Sequence, residues 1–184
     1  MVGAARLDRA YVNNGGDIAL HLTKREAFTV GLIDRPDSEG LMRTLVIAAD
    51  DPIRGIATSG SHGRSFSLGI ADAVTVLART ASMADAAATV IANAVDLPGH
   101  PAIVRVPASE LQPDSDLGPR LVTREVGALS ESEIEQALQA GAQCARRLMA
   151  KGLEAAALRL KGETVAVGMR QPGAMQRHET LIDA

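Results

Sequence analysis

The first fifty positions of the chain hold short apolar runs separated by polar, Gly-rich connections. "IALHL" (18–22) sets Ile18, Leu20 and Leu22 on one face and Ala19 and His21 on the other, which predicts a half-buried strand. "RAYV" before it, "FTVGLI" (28–33) and "TLVIA" (44–48) predict three more strands. They are separated by the turn cluster "NNGGD" (13–17) and the loop "DRPDSEG" (34–40). Consecutive strands with short polar connections predict an antiparallel or mixed sheet. "RGIATSGSHGRSFSLG" (54–69) reads as a short strand running into a Gly/Ser-rich loop, and "DAVTVLA" (72–78) as a strongly β-type run.

The period then changes. "SMADAAATVIANAV" (82–95) predicts a small-residue apolar helix that should be buried, stopped by Pro98 and Gly99 in "DLPGHP" (96–101). "ASELQPDSDLGP" (108–119) reads as a loop or broken turn. "SESEIEQALQAGAQCARRLMAKG" (130–152) is the clearest helix. Ser130 and Glu133 have capping-box spacing, and Ile134, Leu138, Cys144 or Ala145, and Leu148 form one apolar stripe. "ETVAVGM" (163–169) predicts a last strand. The pattern as a whole gives an α+β fold, a mixed or antiparallel sheet packed with helices. It forms one domain over 1–170, with a flexible tail over 171–184.

Composition narrows the function classes. Net charge is -3 with no basic stripe, and the aromatics are only Tyr11, Phe28 and Phe66. Neither a phosphate-tracking nor a base-stacking surface is expected, so no nucleic-acid partner is expected. The single cysteine, Cys144, excludes an intramolecular disulfide and a thiol-rich metal site. Its place in an Ala- and Leu-rich helical pattern predicts a buried, inert thiol. No apolar run reaches the length of a membrane span or a signal-peptide core. The expectation is a cytoplasmic protein with no membrane partner.

Four stretches carry candidate chemistry. In "NNGGD", paired glycines let the main chain approach a ligand, and exposed amides there form a nest for an anion or a flavin carbonyl. On local physics the same residues better suit a hairpin turn, in which Asp17 only bonds turn amides. In "ATSGSHGRS" (57–65), hydroxyls at Thr58, Ser59, Ser61 and Ser65 with Gly60 and Arg64 could cradle a pyrophosphate. No Gly-Lys-Ser/Thr follows, so this is not a P-loop, and a solvated loop is the alternative. His62 in that loop is a candidate acid or base. In the helix, Thr89 follows Asp85 by four residues, so a carboxylate and a hydroxyl share one face, a partial shell for a hard cation such as Mg²⁺. Alternatively, Ser82 and Asp85 form a capping box and Asp85 serves the helix N-terminus. Asp72, at the edge of its strand, is a further catalytic candidate. His100 follows a Pro-Gly turn and is expected at the surface.

Taken in order, these segments resemble the ApbE flavin transferases. "AYVNNGGDIAL" is similar to their Asn-x-Gly-Gly-Asp-Ile motif and "IATSG" to their Thr-Ser-Gly segment. "AVTVLARTASMADAAAT" is similar to their Val-Thr-Val strand followed by Ala-Asp-x-x-Ala-Thr. The wording of "TSGSHGRSFSLGIADAVTVLA" is similar to an uncharacterised ApbE-like branch of bacteria and archaea. The resemblance spans about residues 7 to 170. It implies an ApbE-like fold, with Mg²⁺ at Asp85 and Thr89. It also implies a flavin site at Asn14, Gly15, Gly16 and Asp17, continued at Thr58, Ser59 and Gly60. The implied reaction moves FMN from FAD to a hydroxyl of a protein acceptor. The family's His-x-x-Asp-Pro-x-Thr-Gly motif has no counterpart in "SHGRSFSLGIAD", so no catalytic residue is carried over. The chain also starts just before the Gly-Gly-Asp motif, which implies an N-terminally shortened member with exposed apolar surface near its start, or a site completed by another chain, including a homo-oligomer. The alternative is a non-catalytic flavin- or nucleotide-binding or structural protein that has lost the transfer motif.

Overall fold

The computed structural model describes residues 7–33, 41–61 and 65–168. A six-stranded sheet runs in the order β1, β2, β5, β6, β9, β10. Its strands are β1 (Arg9–Asn14), β2 (Asp17–Leu22), β5 (Gly55–Ser59), β6 (Ala73–Ala78), β9 (Leu153–Leu160) and β10 (Glu163–Val167). Two separate hairpins join β3 (Ala27–Ile33) to β4 (Leu41–Ala48) and β7 (Ile103–Pro107) to β8 (Leu121–Val126). The helices are α1 (Ala81–Ala94), the single turn α2 (Ala108–Leu111) and α3 (Glu131–Met149). Every described strand pairing is antiparallel, so of the two sheet types expected the purely antiparallel one is observed. The predicted tail, 171–184, lies outside the described residues.

The sheet is covered on both faces, and the two-residue period decides which side chain goes where. One face packs against α1 and α3 through Ala57, Val74, Val76, Leu158 and Leu160 of the sheet and Ile91, Ala137 and Leu138 of the helices. The other face packs against the β3–β4 hairpin through Leu20, Leu22, Ile56 and Leu77, with Ile47 of β4 fully buried among them. β9 supplies Leu158 and Ala156 to the helix face and Ala155 to the hairpin face. Its alanines suit a strand sandwiched on both sides, where a larger side chain would hold the layers apart. This is also why its sequence, "LEAAALRL", carries no strand period and escaped prediction.

Close approach of helix to sheet rests on glycine. A Cβ on Gly55 would lie 2.2 Å from the Thr80 carbonyl carbon and oxygen and 2.4 Å from Ala81 N, so α1 starts directly on β5. A Cβ on Gly69 would lie 2.2 Å from the Ala92 carbonyl oxygen, at the far end of the same helix. There Ile70 N–H donates to the Val95 carbonyl at 2.8 Å and satisfies the helix end.

Helix α3 starts as its sequence predicts. The Ser130 hydroxyl accepts from Glu133 N–H, and the Glu133 carboxylate accepts from Ser130 N–H at 2.7 Å. His100 is not the surface residue expected. Its Nδ1 accepts from Ala102 N–H at 3.2 Å, which leaves the proton on Nε2 to meet Glu133 Oε1 at 2.8 Å. The hydrogen bond from the Ser130 backbone, then that from His100, hold the Glu133 carboxyl at about 2. Cys144 is buried, in line with an inert thiol.

Candidate functional site

The β1–β2 turn is a two-residue hairpin loop. Asn14 pairs with Asp17, and Gly15 and Gly16 between them take φ of 68° and 116°. Both angles are positive, which glycine tolerates without strain. Asn13 Oδ1 accepts from Gly16 N–H at 2.9 Å, so the side chain of the turn also braces it. The turn reading of "NNGGD" therefore describes the backbone. It does not use Asp17 for bracing, because Asn13 does that work.

Register then sets what lies beside the turn. Ile18 pairs with Ile56 in an antiparallel sense, so the Gly15–Gly16 loop falls at the C-terminal end of β5, where Thr58, Ser59 and Gly60 lie. Side-chain alternation divides this set. Asp17 and Ser59 point to the helix face, as does Asn14 opposite Asp17. Thr58 points to the hairpin face, where its hydroxyl meets the Thr75 hydroxyl at 2.9 Å. Gly60 is pinned by contact, since a Cβ there would lie 2.5 Å from the Asp72 carbonyl oxygen.

Helix α1 lies over β5, β6 and β2 on that same face. Its inner side buries Ala84, Ala88, Ile91 and Ala92, but Asp85 and Thr89 are exposed. The expectation of a buried helix holds for one side of α1 only, among the described residues. The capping alternative for Asp85 is corrected too. The N-cap is Thr80, whose hydroxyl accepts from Met83 N–H at 3.2 Å. Asp85 therefore sits beyond the first turn, too far along to serve the cap or the helix dipole. The missed signal was a threonine directly before the first helical residue, one of the preferred N-cap types.

Freed from capping, Asp85 lies close enough to Asp17 to act on it electrostatically. Partial burial, and second the negative charge of Asp85, raise the Asp17 carboxyl above its usual 3.8. Two elements distant in sequence thus hold two carboxylates within electrostatic reach. Neither forms an ion pair with a described cationic side chain. The donors at this place are the two carboxylates and the Thr89 hydroxyl, all oxygen, which suits a hard cation. No group of three or more His, Cys, Asp and Glu side chains with metal-binding geometry occurs among the described residues. Any cation here would need further oxygens from water or from a ligand.

The remaining candidates are placed elsewhere. Asp72 Oδ2 accepts from Lys161 N–H at 2.6 Å and so secures the β9–β10 turn. His62 lies outside the described residues. A shallow groove occurs away from Asp85, between β1 and β3, lined by Arg9, Tyr11, Phe28 and Thr29. No helix among the described residues is long and apolar enough to cross a membrane.

A family model described as AbpE bacteria matches residues 1–166. The chain belongs to this family. Among relatives of the chain is a UPF0280 protein of Methanothermobacter thermautotrophicus, 44% identical over 88 residues, which cover 47% of this chain and 33% of the relative. A UPF0280 protein of Methanospirillum hungatei is 38% identical over 96 residues, 52% of this chain and 38% of the relative. One from Archaeoglobus fulgidus is 38% identical over 89 residues, 47% of this chain and 34% of the relative. The matches thus span little more than a third of these relatives' length. The assignment to the ApbE flavin transferases is corrected by these findings: the matching model is AbpE bacteria, and the relatives carry the name UPF0280, with no flavin, magnesium or transferase in it. The motifs behind that assignment are short and are served by hairpin and helix-packing chemistry. Segments of that kind discriminate poorly between families.

Proposed function

We propose that the chain is a ligand-binding domain whose centre is a cation-assisted site for a phosphate-bearing nucleotide, built from Asp17, Asp85 and Thr89. The observation that supports this most is the pair of carboxylates itself. Asp85 stands free of the helix cap, and partial burial first, then the charge of Asp85 from across the sheet–helix junction, raise the Asp17 carboxyl. Like charges held together cost free energy unless something positive shares them. Asp17, Asp85 and Thr89 would hold Mg²⁺, an ion that keeps several waters and binds through one or two carboxylates plus phosphate oxygens. Bound there, the ion would neutralise charge on a phosphate group.

Asn14 and Ser59, on the same face at the ends of β1 and β5, would orient the ligand by hydrogen bonds. A flavin nucleotide such as FAD is one phosphate-bearing ligand that such a site would take. Thr58 is assigned no ligand role, because its hydroxyl is engaged by Thr75 on the opposite face. The domain binds without turnover in this reading. Asp72 is engaged by the Lys161 amide and is assigned no catalytic role.

Calorimetric titration with FAD, with and without Mg²⁺, checks the proposal. Binding should be saturable, should strengthen with Mg²⁺, and should lose that Mg²⁺ dependence in Asp85→Ala. Equal affinity in both proteins, or no binding in either, removes the proposal. Release of AMP during the titration would instead favour the phosphoryl-transfer alternative.

A further inference from the structure

β1 is an edge strand left open among the described residues. It ends the six-stranded sheet, and its two largest apolar side chains, Tyr11 and Val12, are 63% and 64% exposed. They lie on opposite faces, Tyr11 on the hairpin face against Phe28 with ring centroids 6.0 Å apart, Val12 on the helix face. Natural edges are blunted by charge, proline or a bulge. None of these interrupts Ala10–Asn14, whose register with β2 is unbroken.

The main-chain groups that face outward can be read from the hairpin. A two-residue loop makes Asn14 and Asp17 a hydrogen-bonded pair, and alternation makes Val12/Ala19 and Ala10/His21 the next two. Two bonds agree with this phase. Thr23 N–H donates to the Asp8 carbonyl at 2.8 Å, while Leu20 N–H turns away from β1 to the Arg54 carbonyl at 2.9 Å. The N–H and C=O groups of Arg9, Tyr11 and Asn13 therefore point away from the sheet.

We propose that β1 pairs antiparallel with β1 of a second copy of this chain, about a two-fold axis through Tyr11, to make one continuous sheet. The strand is self-complementary about that axis. Tyr11 meets Tyr11 of the other copy, and Val12 meets its Ala10. Arg9 falls opposite Asn13, and Asp8 opposite Asn14, so apolar pairs occupy the centre and polar pairs the ends. The groove beside Tyr11, lined by Arg9, Phe28 and Thr29, leaves room on the hairpin face for the incoming ring. A two-fold contact uses this edge on both copies and closes at two chains.

Sedimentation velocity over a concentration series tests it with two variants. The wild type should sediment at twice the chain mass. Tyr11→Pro removes an outward N–H without touching a β1–β2 bond, and Val12→Lys puts a charge at the centre of the contact while remaining compatible with an exposed site. Both should be monomeric at concentrations where the wild type is a dimer, with circular dichroism unchanged for Val12→Lys at least. A wild type that is monomeric throughout overturns the proposal, and so does a dimer that survives Val12→Lys. Open-ended polymers would point to β1–β10 pairing instead and would also overturn it.

Discussion

Gly55→Ala is expected to destabilise the fold by about 3 kcal/mol, the upper part of the range for overpacking. The added Cβ would meet main-chain atoms, Thr80 C and O at 2.2 Å and Ala81 N at 2.4 Å, and not the yielding tip of a side chain. Relief requires α1 to lift from β5 at its first residue, where Thr80 caps it. Asp85 would then move away from Asp17, so binding and stability should fall together. Chemical denaturation of the variant beside wild type measures the first effect and ligand titration the second. A midpoint equal to wild type would mean that the helix start is not seated on Gly55.

Leu158→Ala is expected to cost about 2–5 kcal/mol, the usual cost of a large-to-small change in a closed core. Leu158 is fully buried on the helix face of β9. Helix α3 comes so near that a Cβ on Gly141 would lie 2.6 Å from Leu158 Cδ2. Neighbours this close on a rigid sheet cannot collapse into the space left. The denaturation midpoint should fall with an unchanged slope, since the same surface is exposed on unfolding. A change below about 1 kcal/mol would show that the site relaxes more than this packing allows.

Much of the fold could be read from the sequence because local signals and tertiary needs agree. The alternation in "IALHL", the glycine pair after "RAYV" and the Ser130–Glu133 cap each act within a few residues, and each is observed. β9 could not be read, because its alanines answer to two packed layers and not to a local period. β7 and β8 do carry a local signal, since "IVRVP" and "LVTREV" are rich in β-branched residues, but each is a short run without clean alternation.

The candidate site divides along the same line. The spacing of Asp85 and Thr89 on one helix face is local and was legible. Their partner Asp17 depends on how α1 crosses β2 and β5, which no spacing within the helix reveals. The parting of Thr58 from Ser59 follows from strand alternation. It became visible only once β5 was known to have both faces covered.

The account turns on Asp17 and Asp85 acting as one site, and a carboxyl-carbon NMR titration of Asp17 tests that directly. Its folded pKa lies above the unfolded 3.8. The stabilisation contributed by protonated Asp17 is therefore complete below 3.8 and is lost as pH rises through the folded value. A cation held beside Asp17 would favour its ionised form and so lower its pKa. The titration midpoint should drop part of the way towards the ordinary value in Asp85→Asn, with the remainder set by burial, and should drop in wild type when Mg²⁺ is added. A midpoint that neither Asp85→Asn nor Mg²⁺ moves would contradict the site.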